Sequence, residues 1–310
     1  MDNYFIKINK YRTYIKTLLK GKDDAIDFAL LSLLVGGHII IEDIPGLGKT
    51  TLALILAKSL HLSFGRIQGT NDLLPSDILG YNMYDKHDGS LRFIKGPIFN
   101  NIVLFDEINR ASPKTQSALL EAMEESCVTL EGVTYSLPIP FFVIATQNPF
   151  DEYGTYPLPE SEWDRFQMRL SIGYPSNKSE IEILKEGSLK NTMPHVKPVI
   201  NQDEILTIQR LIEKNIYVSQ SIYEFIMDIA NKTRQSDEIL IGLSTRACLD
   251  IVKLARARAF VMGRDYVIPE DILYLSSLTM IHRIIFKDAQ KIIDKEAILK
   301  RVLETVKNPL

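Results

Sequence analysis

The chain has 310 residues, of which 45% are hydrophobic and 24% are charged, a balance typical of a water-soluble globular protein that buries one or two cores. Its formal net charge of −3 at pH 7 argues against nucleic-acid binding through bulk positive charge, although a local basic groove stays open. No apolar run reaches the roughly 18 residues that a membrane span needs, so we expect no membrane-spanning helix.

The N-terminal segment, residues 1–20, is charged throughout and has no apolar signal core. Its apolar residues recur at helical spacing, which predicts an amphipathic helix that packs on the body of the protein; a helix on a membrane surface is the alternative. The residues in this pattern are Phe5, Ile8, Tyr11, Ile15 and Leu18.

The two cysteines, Cys127 and Cys248, lie in different parts of the chain. Their spacing indicates neither a metal site nor a disulfide framework, so we expect them to behave as small apolar residues. Cysteines of this kind favour a reducing compartment, and we expect a cytoplasmic protein.

The first 172 residues alternate short apolar runs with helical patterns. This alternation predicts an α/β fold, in which a parallel sheet is covered by helices on both faces. The predicted strands are 38–43, 64–70, 101–107, 141–149 and 169–175, and the helices between them include 49–60 and 114–125.

Two segments interrupt the alternation and look like β-hairpins. Residues 78–96 contain Asp88-Gly89 between strand-like runs, and residues 127–138 contain Glu131-Gly132. Because a minimal sheet fold needs neither hairpin, both are candidates for working parts.

Residues 176–310 predict a second, helical domain. Pro175 ends the last strand, and Ser176 or Ser179 can cap the helix that follows. The predicted helices include 203–215, 219–235, 244–263 and 269–285.

The stretch EDIPGLGKTT, residues 42–51, joins the first strand to a helix and looks like a phosphate-binding loop. The general pattern places a glycine five positions before Gly48, where this chain has Asp43. In such a loop Lys49 reaches the β- and γ-phosphates, and the Thr50 hydroxyl binds Mg²⁺. A chance Gly-Lys-Thr at a helix start is the alternative.

A second motif, IVLFDE, delivers Asp106 and Glu107 at the end of an apolar strand. The carboxyl ends of parallel strands open on one crevice, so these acids belong beside the glycine loop. There Asp106 is predicted to hold Mg²⁺, and Glu107 to orient and activate the attacking water.

Three further polar residues are candidates with open alternatives. Asn148, at a strand end, positions water or simply forms a turn with Pro149. Arg165 reaches the γ-phosphate of a neighbouring subunit or pairs locally with Glu162 or Asp164. Arg246, at a helix start in the second domain, reaches back to the nucleotide or is a solvated helix residue.

In this order, the motifs resemble those of AAA+ ATPases and, among them, the MoxR family. The resemblance covers nearly the whole chain, and its most distinctive string is DEINRASPKTQSALLEAMEE, residues 106–125. The other strings are GGHIIIEDIPGLGKTTLA, RIQGTNDLLPSDILG, GPIFNNIVLF, PFFVIATQNPFDEYGTYPLPESEWDRF and YVIPEDI.

The resemblance implies an AAA+ αβα core with an N-terminal helix over residues 1–175 and a helical lid over residues 176–310. It makes Glu107 the catalytic base, Asn148 sensor 1, Arg165 the arginine finger and Arg246 sensor 2, with Thr50 and Asp106 on Mg²⁺. The hairpins at 78–96 and 127–138 correspond to the helix-2 insert and the pre-sensor-1 hairpin. The residues implied to hold ATP are Pro45, Gly46, Leu47, Gly48, Lys49, Thr50 and Thr51.

The family further implies a homo-oligomeric ring, commonly a hexamer, with nucleotide sites between subunits. It implies chaperone-like remodelling, assembly or activation of protein partners, often proteins with von Willebrand factor A domains. Two other functions stay open: an ATP-binding switch with negligible turnover, and a nucleic-acid motor. The motor is disfavoured by composition, since the hairpin at 127–138 contains no Lys or Arg.

Overall fold

The computed structural model describes residues 2–85, 90–150, 154–187, 196–287 and 294–309. Within these ranges the chain begins with two helices, continues as an alternation of strands and helices, and ends in a mainly helical region. The strands are β1 (Ile39–Glu42), β2 (Phe64–Gln68), β3 (Gly80–Tyr84), β4 (Leu91–Lys95), β5 (Ile102–Asp106), β6 (Cys127–Leu130), β7 (Val133–Ser136), β8 (Phe142–Gln147), β9 (Met168–Leu170), β10 (Ile239–Ile241) and β11 (Ile285–Phe286). The helices are α1 (Asp2–Leu18), α2 (Asp23–Leu34), α3 (Lys49–Ser59), α4 (Pro75–Leu79), α5 (Pro113–Glu125), α6 (Glu160–Trp163), α7 (Asn177–Glu186), α8 (Gln202–Asn215), α9 (Gln220–Gln235), α10 (Thr245–Val261), α11 (Pro269–Met280) and α12 (Lys295–Glu304).

The central sheet contains five parallel strands in the order β2-β5-β8-β1-β9. Its apolar runs are explained by burial on both faces: Ile39 and Ile41 of β1 face one core cluster, while Ile40 faces the other. Successive side chains of a strand point to opposite faces, so a strand covered on both sides must be apolar throughout. The predicted parallel sheet is therefore confirmed.

Helices α1, α2 and α3 lie on one face of the sheet and α5 on the other, as their core clusters show. The predicted N-terminal helix packs on the body, because Ile8, Tyr11 and Ile15 are fully buried. The Tyr11 hydroxyl lies 3.0 Å from Ser59 Oγ, at the end of α3. This contact and the apolar stripe hold α1 against the helix that follows the glycine loop.

The two inserted segments form antiparallel pairs, β3 with β4 and β6 with β7. Glu131 and Gly132 join β6 to β7 with φ of +48° and +81°, as a tight hairpin turn requires. The Asp88-Gly89 turn predicted for the first hairpin lies outside the described residues. The two hairpins contact each other: the rings of Phe93 and Tyr135 stack at 4.2 Å.

In the described residues after β9, the regular elements are helices and one short sheet, and here the sequence prediction was wrong in detail. The helix predicted over 269–285 ends at Met280, and β11 pairs antiparallel with β10. A short apolar run such as 284–286 fits a strand or a helix equally well, and only its partner decides between them. Side chains of α1 and α2 share one core cluster with this region and with the sheet.

Candidate functional site

The glycine loop, residues 43–48, runs from the carboxyl end of β1 to the first residue of α3. Gly46 and Gly48 have φ of +89° and +93°, in the left-handed region where a side chain is strained. An added Cβ at Gly46 would meet nothing within 4 Å, so backbone conformation and not crowding demands glycine there. The loop leads into a helix N-terminus, where unpaired backbone N–H groups and the helix dipole attract an anion.

A pocket of about 400 Å³, called here the loop pocket, brings most of the predicted residues together. Lys49, Thr50 and Thr51 from the first turn of α3 face the two acids at the end of β5, and Asn148 follows β8. The residues lining it are Pro45, Gly46, Gly48, Lys49, Thr50, Thr51, Arg66, Gln68, Asp106, Glu107 and Asn148. Leu47 instead is largely buried and lines a neighbouring pocket.

Asp43 directs its carboxylate away from the loop pocket. Its Oδ2 accepts hydrogen bonds from the backbone N–H groups of Ile172 and Gly173, both at 2.7 Å, and from Ser171 Oγ at 3.1 Å. These residues form the linker between β9 and α7. The acid at the position of the missing glycine is therefore an anchor for this linker, and it does not crowd the anion site.

Lys49 points into the loop. Its Nζ donates to the main-chain oxygen of Asp43, and burial lowers the pKa of Lys49, an effect opposed by the charges of Asp43, Asp106 and Glu107. The lysine is thus held by a backbone contact that any residue at position 43 can supply.

Asp106 and Glu107 are held by Thr146 of β8. Thr146 Oγ1 donates to Asp106 Oδ1 at 2.7 Å and accepts from the Glu107 N–H at 2.9 Å. Glu107 has φ 58° and ψ 55°, a left-handed conformation that costs a non-glycine residue about 1–3 kcal/mol and is found chiefly at functional sites. Gly69 lies so close that an added Cβ would be 2.1 Å from the Glu107 carbonyl oxygen.

Two residues of β2, Arg66 and Gln68, line the loop pocket without having been predicted from the sequence. Arg66 Nη2 donates to Asp106 Oδ2 at 2.9 Å, and Gln68 Nε2 donates to Glu107 Oε2 at 2.9 Å. The signal was present: in FGRIQGT, residues 64–70, polar side chains alternate with apolar ones. Only the pairing of Gln68 with Asp106 in the sheet shows that the polar side chains of β2 lie beside Asp106 and Glu107.

A larger pocket of about 750 Å³, called here the apolar pocket, adjoins the loop pocket and shares Gly46, Gly48, Thr50, Thr51 and Arg66 with it. Its other walls are mostly apolar and come from the residues just after α1, from the glycine loop, from α3, from the linker and from α7. They include Leu19, Leu47, Leu54, Tyr174, Pro175, Ile183 and Leu184. If an anion bound in the loop pocket, a planar apolar group joined to it would fit in the apolar pocket.

Arg165 and Arg246 lie elsewhere, in a pocket of about 250 Å³ called here the arginine pocket, which Glu124 and His38 also line. Arg165 Nη1 donates to Glu124 Oε2, and Arg246 Nη1 lies 3.1 Å from the other oxygen, Glu124 Oε1. Arg165 also donates from Nε to Glu162 Oε2 at 2.6 Å, which is the local pairing left open by the sequence.

The arginine pocket and the loop pocket lie at opposite ends of β1. His38 precedes the strand and Asp43 follows it, so at about 3.3 Å per residue the two ends are roughly 16 Å apart. Arg165 likewise precedes the parallel strand β9. The expectation that Arg246 reaches the nucleotide of its own chain is not met by this arrangement.

Comparisons with known proteins identify the family. The family model described as "ATPase family associated with various cellular activities (AAA)" matches residues 38–168, and an AAA lid domain model matches residues 231–302. Chaperone MoxR1 of Mycobacterium tuberculosis is 36% identical over 306 residues, which cover 95% of this chain and 80% of that protein. The chain belongs to the MoxR family of AAA+ ATPases.

Two further likenesses extend over nearly the full chain. YeaC of Bacillus subtilis is 44% identical over 305 residues, 98% of this chain and 95% of that protein. A crystal structure of a protein from Cytophaga hutchinsonii superposes with a TM-score of 0.92 at 38% identity and covers 99% of this chain and 96% of its own. The predicted family and the predicted AAA core with a helical lid are thereby confirmed.

Two simpler predictions concern membranes and cysteines. Across the described ranges, no helix is long and apolar enough to cross a bilayer. Cys127 and Cys248 are both free thiols, and burial raises the pKa of Cys248.

Proposed function

We propose that this MoxR-family chain is a Mg²⁺-dependent ATPase whose turnover drives chaperone-like remodelling, assembly or activation of a protein partner. The observation that carries the proposal is the loop pocket, where Lys49 and Thr50 face Asp106 and a Glu107 held in a strained conformation. A protein that only binds nucleotide needs the loop and its lysine. It has no need of a second acid kept in place at a conformational cost.

The residues of the loop pocket fit Mg²⁺ and a triphosphate. Asp106 and the Thr50 hydroxyl offer the oxygen ligands that Mg²⁺ prefers, and Mg²⁺ is usually bound by one or two carboxylates together with substrate phosphates. Within the ranges that the structure describes there is no cluster of three His, Cys, Asp or Glu residues that could enclose a metal alone. When bound, Mg²⁺ would neutralise charge on the phosphate oxygens.

The side chains of the chain divide the remaining work. Lys49 and the N–H groups at the start of α3 bind the phosphates. Glu107 Oε2 accepts the proton of the attacking water, and Asn148, being uncharged, orients that water. Gln68, which holds Glu107 Oε2 in this structure, is a residue that controls whether the carboxylate faces the water.

The apolar pocket is where we propose that the adenine ring binds. It shares the loop glycines with the loop pocket, and it is walled by Leu19, which follows α1, and by Leu184 of α7. A nucleotide in this position contacts the lid as well as the core. Binding energy can therefore be converted into a change of lid orientation.

Arg165 and Arg246 lie about a strand length from the loop pocket of their own chain. We therefore propose that both serve the site of a neighbouring subunit, as an arginine finger and as sensor 2. An interface in which one face supplies arginines and the other supplies the loop is head-to-tail, and such interfaces generate rings. This supports the expected homo-oligomeric ring, with a hexamer as the proposed form.

The partner is proposed to be a protein, with a von Willebrand factor A domain protein as the first candidate. The name "Chaperone MoxR1" of one relative supports the chaperone-like role. The two hairpins are the proposed contact surfaces, because they stand outside the core sheet and expose Tyr81, Met83, Leu91 and Val133. Nucleic acid is not expected as a partner, and we propose a cytoplasmic location.

Steady-state ATP turnover of the wild type beside Glu107→Gln tests the enzyme function. We expect Glu107→Gln to bind ATP and to hydrolyse it much more slowly, while Lys49→Ala loses most of its nucleotide affinity. Equal turnover of wild type and Glu107→Gln would favour the ATP-binding switch. Salt-sensitive DNA binding at low-micromolar concentration or tighter would favour the motor.

The ring is tested by mass and by mixing. Oligomer mass is expected to rise with ATP, and a strict monomer under all nucleotide conditions contradicts the ring. Mixing Arg165→Ala with Lys49→Ala subunits should restore turnover, because a Lys49→Ala subunit still presents Arg165. Mixed rings that form and stay inactive would reject action in trans.

A further inference from the structure

Arg283 is a buried arginine of the lid that none of the functions above uses. It ends a 3-10 turn, Ile281–Arg283, between α11 and β11, and its side chain is 1% exposed. A guanidinium carries its charge at every ordinary pH, and burying it is costly unless it is paired and hydrogen-bonded. Its partners therefore show what its position achieves.

The partners of Arg283 flank the proposed arginine finger on both sides. Arg283 Nη2 donates to the main-chain oxygens of Asp164 at 3.2 Å and Phe166 at 2.9 Å. Its Nε lies 3.3 Å from Asp164 Oδ1. A lid side chain thus holds the residue before Arg165 and the residue after it.

Two more lid residues hold the same segment. His282 Nε2 lies 2.9 Å from the Phe166 main-chain oxygen, and Ser244 Oγ donates to Asp164 Oδ2 at 3.0 Å. The accepting carbonyl requires an N–H at His282 Nε2, and burial lowers the pKa of His282 to about 3, so the imidazole is neutral. The segment 164–166 is therefore attached to the lid at three places.

Arg283 also reaches the helix that bears the second arginine. Its Nη2 donates to Asp250 Oδ2 at 2.7 Å, and Asp250 lies one turn after Arg246 on α10. Through Asp250, Arg283 fixes the helix of Arg246, and through Asp164 and Phe166 it fixes the backbone of Arg165. Glu124 then holds the two arginines side by side.

We propose that Arg283 is a positioning residue that locks the lid to the segment around Arg165, so that the lid orientation of one subunit sets how Arg165 and Arg246 enter the site of the next. The inference rests on the proposed function of both arginines in trans. The lid cannot turn alone without breaking the Arg283 hydrogen bonds to the main-chain oxygens of Asp164 and Phe166 and leaving the buried guanidinium without those acceptors, which is unfavourable, so it carries segment 164–166 with it. A nucleotide that contacts α7 in one subunit thereby influences hydrolysis in its neighbour.

The first test compares Arg283→Met with Arg258→Met in assembled rings. Arg258 is a matched control, since it is another mostly buried lid arginine and pairs with the fully buried Asp271 away from Arg165. Loss of arginine alignment by about 1 Å predicts a turnover number about a hundredfold lower for Arg283→Met, with unchanged ATP affinity. Arg258→Met is expected to lower the Tm while keeping its turnover number near that of the wild type.

The second test determines whether Arg283→Met impairs the subunit's own loop pocket or the loop pocket of its neighbour. If Arg283 acts through Arg165, then Arg283→Met mixed with Lys49→Ala regains activity, because an intact loop pocket meets an intact arginine pair at roughly a quarter of randomly formed head-to-tail interfaces. Arg283→Met mixed with Arg165→Ala stays inactive, since neither subunit presents a working finger. A role confined to the subunit's own loop pocket predicts the reverse pattern, and that result would overturn the proposal.

Two controls keep the outcome interpretable. If Arg283→Met does not fold, Asp250→Asn and Arg283→Lys enter the same mixtures with the same expectations. If Arg165→Ala with Lys49→Ala regains activity and the Arg283 and Asp250 variants with Lys49→Ala do not, the inference on Arg283 fails while the proposed function stands. If none of the mixtures regains activity although mixed rings form, trans action itself is rejected.

Discussion

Removing the Asp43 carboxylate should release the linker between the core and the lid without removing nucleotide binding. In Asp43→Ala the N–H groups of Ile172 and Gly173 lose an acceptor at 2.7 Å, and Ser171 Oγ loses one at 3.1 Å. Lys49 keeps its contact, because it binds the main-chain oxygen of residue 43. Linker opening and ATP affinity should therefore respond differently to one substitution.

The size of the effect follows from the contacts. A hydrogen bond to a charged group contributes about 1.5–3 kcal/mol, and for a half-buried carboxylate the lower value applies. Two such bonds to backbone N–H groups then contribute about 3 kcal/mol, which corresponds to roughly a hundredfold change in the linker's opening equilibrium. The neutral Ser171 contact adds less.

Amide hydrogen exchange at Ile172 and Gly173 measures this opening directly. We expect both amides to exchange roughly a hundredfold faster in Asp43→Ala, with ATP affinity changed little. Asp228→Ala, on the exposed face of α9, is the charge-matched control and should leave both amides as in the wild type. Unchanged exchange at residues 172 and 173 in Asp43→Ala would refute the role of Asp43 as the linker anchor, and a large gain in ATP affinity would show that the acid opposes phosphate.

Three further outcomes are expected. His38 is buried, accepts a hydrogen bond from the Val143 N–H at Nδ1, and has its pKa lowered to about 4 mainly by burial. Below pH 6.5 the unfolded chain binds a proton at this histidine and the folded chain does not, so the free energy of unfolding should fall toward pH 4 by about 1.4 kcal/mol per pH unit more than in His38→Asn. Equal pH slopes of the two proteins in urea unfolding would contradict this. Tyr11→Phe loses the hydroxyl contact with Ser59 and should lower the free energy of unfolding by about 1 kcal/mol, while an unchanged value would mean that the contact contributes nothing. Gly69→Ala would place a Cβ 2.1 Å from the Glu107 carbonyl oxygen, so the backbone of Glu107 must move. Because this displaces the proposed catalytic base, ATP turnover should fall about a hundredfold. Turnover equal to that of the wild type would show that the close contact with Gly69 does not hold Glu107 in place.

Much of the loop pocket could be predicted from local patterns. A β-branched run before glycines and a lysine indicates a strand, a tight turn and a helix, and an apolar run ending in Asp106 and Glu107 indicates a second strand. Parallel strands place their carboxyl ends at one edge, so the two motifs meet whatever the rest of the chain does. The same reasoning does not reach Arg66 and Gln68, whose relevance depends on which strand β2 pairs with.

The prediction for the lid failed at one short apolar run that could form either a helix or a strand. Residues 284–286 continue the apolar pattern of α11, and no local signal marks the change from helix to strand. Pairing with β10, which lies more than forty residues earlier in the chain, decides the conformation. A helix prediction made from the spacing of apolar residues within one segment contains no information about a pairing strand elsewhere in the chain.

By itself, the sequence determined the fold class, the family and most of the residues that meet at the carboxyl edge of the sheet, because those follow from short-range spacing and from a rule that holds for every parallel sheet. Only the tertiary structure decided the roles of residues whose partners lie far away in the chain. Asp43 became the anchor of a linker about 130 residues later. Arg165 and Arg246 were brought together by Glu124 at the opposite edge, and Arg283 was buried behind them. Charged side chains take their function from the groups that surround them, and in a folded chain those groups are set by packing and not by spacing.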